Sequence, residues 1–290
     1  MRKHIEDIGD SRSLKLYDKI PKGKRLRAKL ILKIAGETKK AVELASVVEL
    51  IHTASLLHDD VIDKASTRRG ILSINHAFGN MTAIMLGDIL YSKGFVELTH
   101  LPCEVARNVA NSVVKLSIGE LLDVKLATAF NSNQDVYFDM IYKKTASLIE
   151  ASACSAALLA NKDSDKYALY GKNLGLAFQI IDDVLDVTNS SEILGKPSFS
   201  DFKEGKTTLP YLYMYEKLNK NDKKKLLSCF GKTLNIDESN WMHEKFKTTG
   251  AVTRSIEYAK KLGVDALSAI KDENLPELEK IITDMIIRDF

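Results

Sequence analysis

An all-α fold is predicted by three observations on the sequence. Apolar residues recur at three- and four-residue spacing over long stretches. Good helix formers such as Ala, Leu, Lys and Glu fill those same stretches. Only five prolines and fifteen glycines occur in 290 residues, which leaves few turns for a sheet-rich alternative. The expected architecture is a single-domain bundle of long antiparallel helices around a central cavity, spanning residues 1–290 with no obvious linker. Net charge is +3 with acids and bases mixed throughout, which argues against a nucleic-acid-binding tail or face. Cys103, Cys154 and Cys229 are far apart and lack C-x-x-C spacing, so neither a disulfide framework nor a zinc site is suggested. The opening "MRKHIEDIGD" lacks the apolar core of a signal peptide, and "SLIEASACSAALLA" is too short to span a bilayer. A soluble cytoplasmic protein is the expectation.

The helical pattern runs through residues 38–64, 80–99, 104–128, 134–160 and 165–188, each longer than a typical globular helix. Breaks fall at "STRRGILS", around "HLPCE", at "TAFNSNQD" and at the long "TNSSEILGKPSFSDFKEGKTTLP", where Gly, Pro, Ser, Thr and Asn gather. Residues 207–290 read as shorter helices with charged surfaces. One short pattern occurs twice: D-D-x-x-D, as Asp59, Asp60 and Asp63 in "LLHDDVID" and as Asp182, Asp183 and Asp186 in "QIIDDVLDV".

Carboxylates inside apolar helical runs repel one another, by about 4 kcal/mol at 4 Å and an effective dielectric near 20, unless cations intervene. On a helix Asp59 and Asp63 share a face and Asp60 lies about 100° around it. Such a fan of oxygens suits magnesium, a hard cation commonly held by one or two carboxylates together with substrate phosphate oxygens. A calcium loop is disfavoured, because the twelve-residue segment with its central glycine is absent. Cationic side chains stand near the same breaks. "KGKRLR" offers Lys24, Arg25 and Arg27, with Lys24 and Arg27 expected on one helical face. "STRRG" offers Arg68 and Arg69, whose forked guanidinium groups match phosphate oxygens. Lys144, Lys196 and Lys206 are further candidates, each balanced against a plain reading as a solvated surface charge.

In this combination, and across essentially the whole chain, the sequence resembles the trans-polyprenyl diphosphate synthases. The resemblance implies the isoprenoid synthase fold and a homodimer. It implies Mg2+ as cofactor, three ions on the six aspartates with Mn2+ able to substitute. Its substrates would be isopentenyl diphosphate and an allylic diphosphate such as farnesyl or geranylgeranyl diphosphate. Lys24, Arg27, His52 and Arg69 would hold the isopentenyl diphosphate, with Phe178 beside it. Arg68, Lys144, Lys196 and Lys206 would complete the allylic side, and Thr145 and Gln179 would line the reaction centre. Where the family usually reads "GGKRLRP", this chain reads "KGKRLRA". The helical spacing agrees in part, since Gln179 shares the stripe of Asp182 and Asp183, and His52 that of Asp59. A core histidine bonded to a carbonyl is the alternative for His52.

Product length would follow the depth of the shaft beneath the first aspartates. In relatives that stop at fifteen carbons a bulky side chain blocks the tail near this point, whereas here Ala54 and Ser55 are small. A medium- or long-chain trans polyprenyl diphosphate for quinone side-chain or related synthesis is expected. The floor would lie around residues 84–96 and 109–122, and membrane contact would be peripheral, at product release. Small residues chosen only for helix packing are the alternative. Asp88, Glu120 and Asp123 receive a structural hydrogen-bonding role and no catalytic one. Rival readings are a class I terpene cyclase, which needs no second diphosphate pocket, and a non-catalytic subunit of a heteromeric synthase. A di-iron bundle is disfavoured, since its Glu-x-x-His pairs are missing.

Overall fold

The computed structural model describes residues 1–188, 199–273 and 275–286. The fold is all-α. The chain forms two compact units, Met1–Val113 with Ala151–Ser164, and Val114–Glu150 with Asp165–Phe290.

The first unit begins with two short helices, α1 (Arg2–Glu6) and α2 (Ser11–Tyr17), the second capped by the Asp10 carboxylate on the Ser13 amide. Helix α3 (Leu26–Ala35) starts late, because Arg25 takes a left-handed conformation with φ 51°. Lys24 therefore precedes the helix, and the expectation that Lys24 and Arg27 share a helical face is corrected. Helix α4 (Lys39–Ile62) matches the first long pattern, with Thr38 capping the Ala41 amide and Asp63 just past its end. It is long and apolar enough to cross a membrane, yet most of that stretch is buried in the protein, as for a core helix. The break "STRRGILS" holds a minimal hairpin, β1 (Thr67–Arg68) with β2 (Ile71–Leu72), turned by Arg69 and Gly70 at φ 53° and 75°.

Helix α5 (Ile74–Phe78) leads into α6 (Asn80–Leu98), which packs along α4. Ile5, Leu50, Ala54, Leu57, Ile74, Ala83, Leu86 and Leu90 form one buried cluster there. Removing about 25 cal/mol per Å2 of apolar surface from water makes such clusters the main stabilising term. Helix α7 (Cys103–Leu126) enters the second unit after Val113.

The stretch expected as one helix over 134–160 is in fact three pieces. Helix α8 (Gln134–Ile141), capped by Asn133, runs into a π turn at Tyr142–Ala146 and then into α9 (Ser147–Leu159). Two glycines make room for that turn. A β-carbon on Gly119 of α7 would fall 2.8 Å from the Lys143 carbonyl carbon and 2.8 Å from Lys144 Cα. One on Gly175 would fall 2.5 Å from Ala146 Cα. Helix α10 (Ser164–Thr188) carries that second glycine and the second aspartate motif. Further helices follow, all but α15 shorter: α11 (Ser200–Lys203), α12 (Leu209–Lys217), α13 (Lys220–Cys229), α14 (Ile236–Thr249), α15 (Ala251–Ala269) and α16 (Pro276–Ile286). Phe202 stacks on Tyr211 at 4.4 Å in their core.

Candidate active site

The two D-D-x-x-D motifs fall one in each unit, at the ends of α4 and α10. Both treat their second carboxylate differently from the first. Asp60 is 3 % exposed, with Arg68 Nε and Nη2 at 2.7 and 2.6 Å from its Oδ1, and its carbonyl accepts from Asn75. Asp183 is 2 % exposed and accepts from the Tyr137 hydroxyl at 2.5 Å and from Gln179 Nε2 at 2.9 Å. Burial, together with the charges of Asp201 and Asp182, pushes the Asp183 carboxyl well above the ordinary range, against the pull of those two donors. The first aspartates, Asp59 and Asp182, are only half-buried, as is Asp63. Asp186 is buried and accepts from the Ser200 amide and hydroxyl and the Asp201 amide, so it caps α11. Desolvation raises its carboxyl despite these bonds.

In the first unit, cationic groups gather around His52. Arg27, Arg69 and Arg68 are all close enough to act on its imidazole, although burial is the larger reason that its pKa lies well below 6.5. Arg27 Nε is buried with no hydrogen-bond partner, and desolvation brings its pKa down to about 10, still cationic at neutral pH. Glu49, 6 % exposed, opposes that shift and accepts from the Ala28 amide in the first turn of α3. Arg69 donates from Nη1 to the Pro21 carbonyl, and its guanidinium lies where a β-carbon on Gly23 would sit, 2.7 Å from Nη2. The glycine that "KGKRLR" retains is thus the one this contact needs. Lys24 is exposed in the same loop.

His52 sets a pH response. Because its folded pKa lies below the unfolded value, the unfolded chain takes up a proton that the folded one refuses once pH falls under about 6.5. Stability should therefore be full above that pH and decline below it, by about 1.4 kcal/mol per pH unit for each such group. Burial lowers His4 and His243 in the same direction. Urea midpoints between pH 7.5 and 5 check this, and His52→Asn should flatten the acid slope; an unaltered slope would refute the assignment.

In the second unit the π turn presents Lys144 and Thr145. Lys144 Nζ lies 2.5 Å from Asp123 Oδ2 and 2.8 Å from Glu120 Oε2. Burial opposes its charge, but these two carboxylates outweigh that and hold the ammonium above its ordinary pKa. Thr145 Oγ1 donates to Gln179 Oε1 at 2.8 Å, which orients the amide so that its nitrogen reaches Asp183. The row Thr145–Gln179–Asp183–Tyr137 is thus continuous. Lys206 is half-buried beside Glu204, and Phe178 is half-buried. Lys196 lies outside the described residues.

One functional neighbour, Tyr137, escaped the sequence reading, and two more were placed without their partner. Glu120 and Asp123 do form the expected polar contacts, but with Lys144 itself, and Tyr137 is the buried donor to Asp183. An acid at an otherwise apolar position of α7 was the available signal; its partner, 21 residues on from Asp123, was not readable. Asp88 pairs with His58 at 3.3 Å. Ala54 is fully buried in the cluster with Leu86 and Leu90, and Ser55 donates to the His52 carbonyl at 2.9 Å.

Residues 13–245 match the polyprenyl synthetase family. Among solved structures, octaprenyl pyrophosphate synthase from Helicobacter pylori is 47 % identical with a TM-score of 0.94, over 99 % of this chain and 95 % of that one. A polyprenyl synthase from Caulobacter crescentus CB15, complexed with calcium and isoprenyl diphosphate, is 26 % identical with a TM-score of 0.86, over 100 % of this chain and 98 % of that one. A prenyl transferase of Cyanidium caldarium is 38 % identical over 268 residues, 87 % of this chain and 80 % of its own length. The chain therefore belongs to the polyprenyl synthetase family and is a trans-prenyltransferase of the polyprenyl diphosphate synthase kind.

Proposed function

We propose that the cationic group around His52 receives isopentenyl diphosphate and that the aspartates of both motifs carry the allylic diphosphate through divalent ions. The reaction joins the two substrates into a trans polyprenyl diphosphate longer than fifteen carbons. The observation that carries the pocket assignment is the buried, unpartnered Arg27 Nε beside a neutral imidazole. A buried donor without an acceptor costs about 1–3 kcal/mol, which a diphosphate oxygen would recover. Arg69 adds a second guanidinium fork, and Lys24 an exposed ammonium at the entrance loop.

The half-buried Asp59, Asp63 and Asp182 offer oxygen donors of the kind magnesium takes, and the more deeply buried Asp60 and Asp183 are held by side chains that fix each helix end. Bound divalent ions, three Mg2+ in this reading with Mn2+ as a substitute, would neutralise the diphosphate as it leaves the allylic carbon. Lys144, pinned by Asp123 and Glu120, is a fixed positive charge for the same oxygens, with Lys206 beside it in charge. The Thr145–Gln179 amide dipole lines the carbocation. The double bond of isopentenyl diphosphate attacks it, and the proton then lost goes to the departing diphosphate, so no side-chain base is required. Exclusion of water protects the cation.

Mass spectrometry of the products from farnesyl and isopentenyl diphosphates with Mg2+ tests this reading. Consumption of the allylic substrate without isopentenyl diphosphate would indicate a cyclase, and no turnover until a second polypeptide is added would indicate a modulatory subunit. We place the length ruler at Ala54 and Ser55. Ala54→Phe and Ser55→Phe should shorten the product, at an overpacking cost of about 1–3 kcal/mol; an unchanged length distribution refutes the ruler.

A homodimer is part of the same proposal. Met81, Met85, Phe95 and Val96 on α6, and Val114, Ile118 and Leu121 at helical spacing on α7, are exposed apolar faces of the kind a second copy covers. A cytoplasmic setting accords with the absence of disulfides among the three cysteines. Release of the lipid product would bring the enzyme to a membrane surface only peripherally.

A further inference from the structure

Where the second turn of α4 meets the end of α6, two carboxylates and one imidazole converge. Glu43, Glu97 and His100 each place one ligand atom within 4.8 Å of the others. His100 Nδ1 lies 3.5 Å from Glu97 Oε2 and 3.7 Å from Glu43 Oε1, and His4 Nδ1 lies 3.4 Å from that same Glu97 oxygen. An imidazole N–H bonded to a carboxylate closes to about 2.7–3.2 Å. Donor atoms at about 2.0–2.1 Å from a tetrahedral zinc ion stand about 3.3–3.4 Å apart. The two His100 separations are too long for direct hydrogen bonds and near the edge of a coordination tetrahedron.

The surroundings agree. Glu97 is 8 % exposed, and its other oxygen is held at 2.6 Å by Lys93, which turns Oε2 toward the imidazoles. Imidazole with carboxylate favours zinc-like transition metals over magnesium or calcium.

We propose that Glu43, Glu97 and His100 form a transition-metal site of the zinc type that fastens the second turn of α4 to the end of α6. None of the three belongs to an aspartate motif or to the His52 group. Three protein ligands leave the fourth position to water, and the ion takes no part in turnover.

Cobalt(II) is the probe, titrated into the full-length protein in a large excess of Mg2+. Four-coordinate cobalt absorbs strongly in the visible, whereas six-coordinate oxygen sites absorb weakly, so the aspartate motifs are spectroscopically silent by comparison. The expected result is one equivalent with intense bands, displaced by Zn2+ and indifferent to Mg2+. His100→Gln and Glu43→Gln should each weaken binding by about tenfold or more and bleach the bands, while the double variant Asp59→Asn, Asp182→Asn keeps them. His100 is the safest position to change, its side chain being 60 % exposed. Zn2+ should raise the melting temperature of the native protein and not that of His100→Gln, whose Mg2+-supported turnover stays native. Absence of intense bands in the native protein overturns the site, as does their survival in both single variants or their loss in the aspartate double variant.

Discussion

Asp59→Asn and Asp182→Asn each lower kcat by about 10^2–10^3-fold at saturating substrates and Mg2+, with little change in melting temperature. The magnitude is that of removing one preorganised charge-stabilising group from a transition state. The small effect on folding follows from the position of these carboxylates, which are half-buried, whereas Asp60 and Asp183 are almost fully buried. Asp60→Asn is the contrast. It weakens an ion pair to Arg68, whose side chain is 27 % exposed, so its effect is on stability, about 2 kcal/mol after allowing for that exposure. Steady-state kinetics with thermal melts separate the two classes. Turnover within tenfold of native for Asp59→Asn would remove the metal-ligand role assigned to it.

Gly119→Ala is expected to cost about 3 kcal/mol and about 100-fold in turnover. The added methyl meets the backbone of Lys143 and Lys144, which cannot rotate away as a side-chain tip can. Either the π turn moves or α7 does, and a displacement near 1 Å at Lys144 and Thr145 is enough for a loss of about 10^2. Gly94→Ala is the control. Its nearest neighbour is the Ile51 side chain at 3.2 Å, which can yield, so a change below about 1 kcal/mol is expected. Chemical denaturation and kcat measured on both variants decide the matter; equal effects would remove the special role of the π turn.

The long helices were legible because the 3.6-residue period is a direct consequence of burying one face, and α4, α6, α7 and α10 begin and end within two residues of their apolar patterns. What escaped notice obeys no such period. A left-handed Arg25 leaves no mark in composition, yet it moves Lys24 off the helix. The widened turn at Tyr142–Ala146 keeps ordinary helix formers, so 134–160 reads as unbroken. The aspartate motifs stood out as charges in apolar runs. The division within each motif depends on Arg68, Tyr137 and Gln179, and two of these partners come from other elements. The hairpin at "STRRG" was read as a loop because two paired residues per strand are too few to alternate.

The widened turn also acts as a phase adjuster. Closing it to ordinary α geometry with all five residues kept would rotate everything before it by about 100° relative to everything after, because a π turn holds one residue more than an α-turn of the same phase. Tyr137 would then swing out of register with Asp183, and Thr145 with Gln179. Insertions among related chains should accordingly collect in the connections before 134 and after 160, and spare this five-residue window.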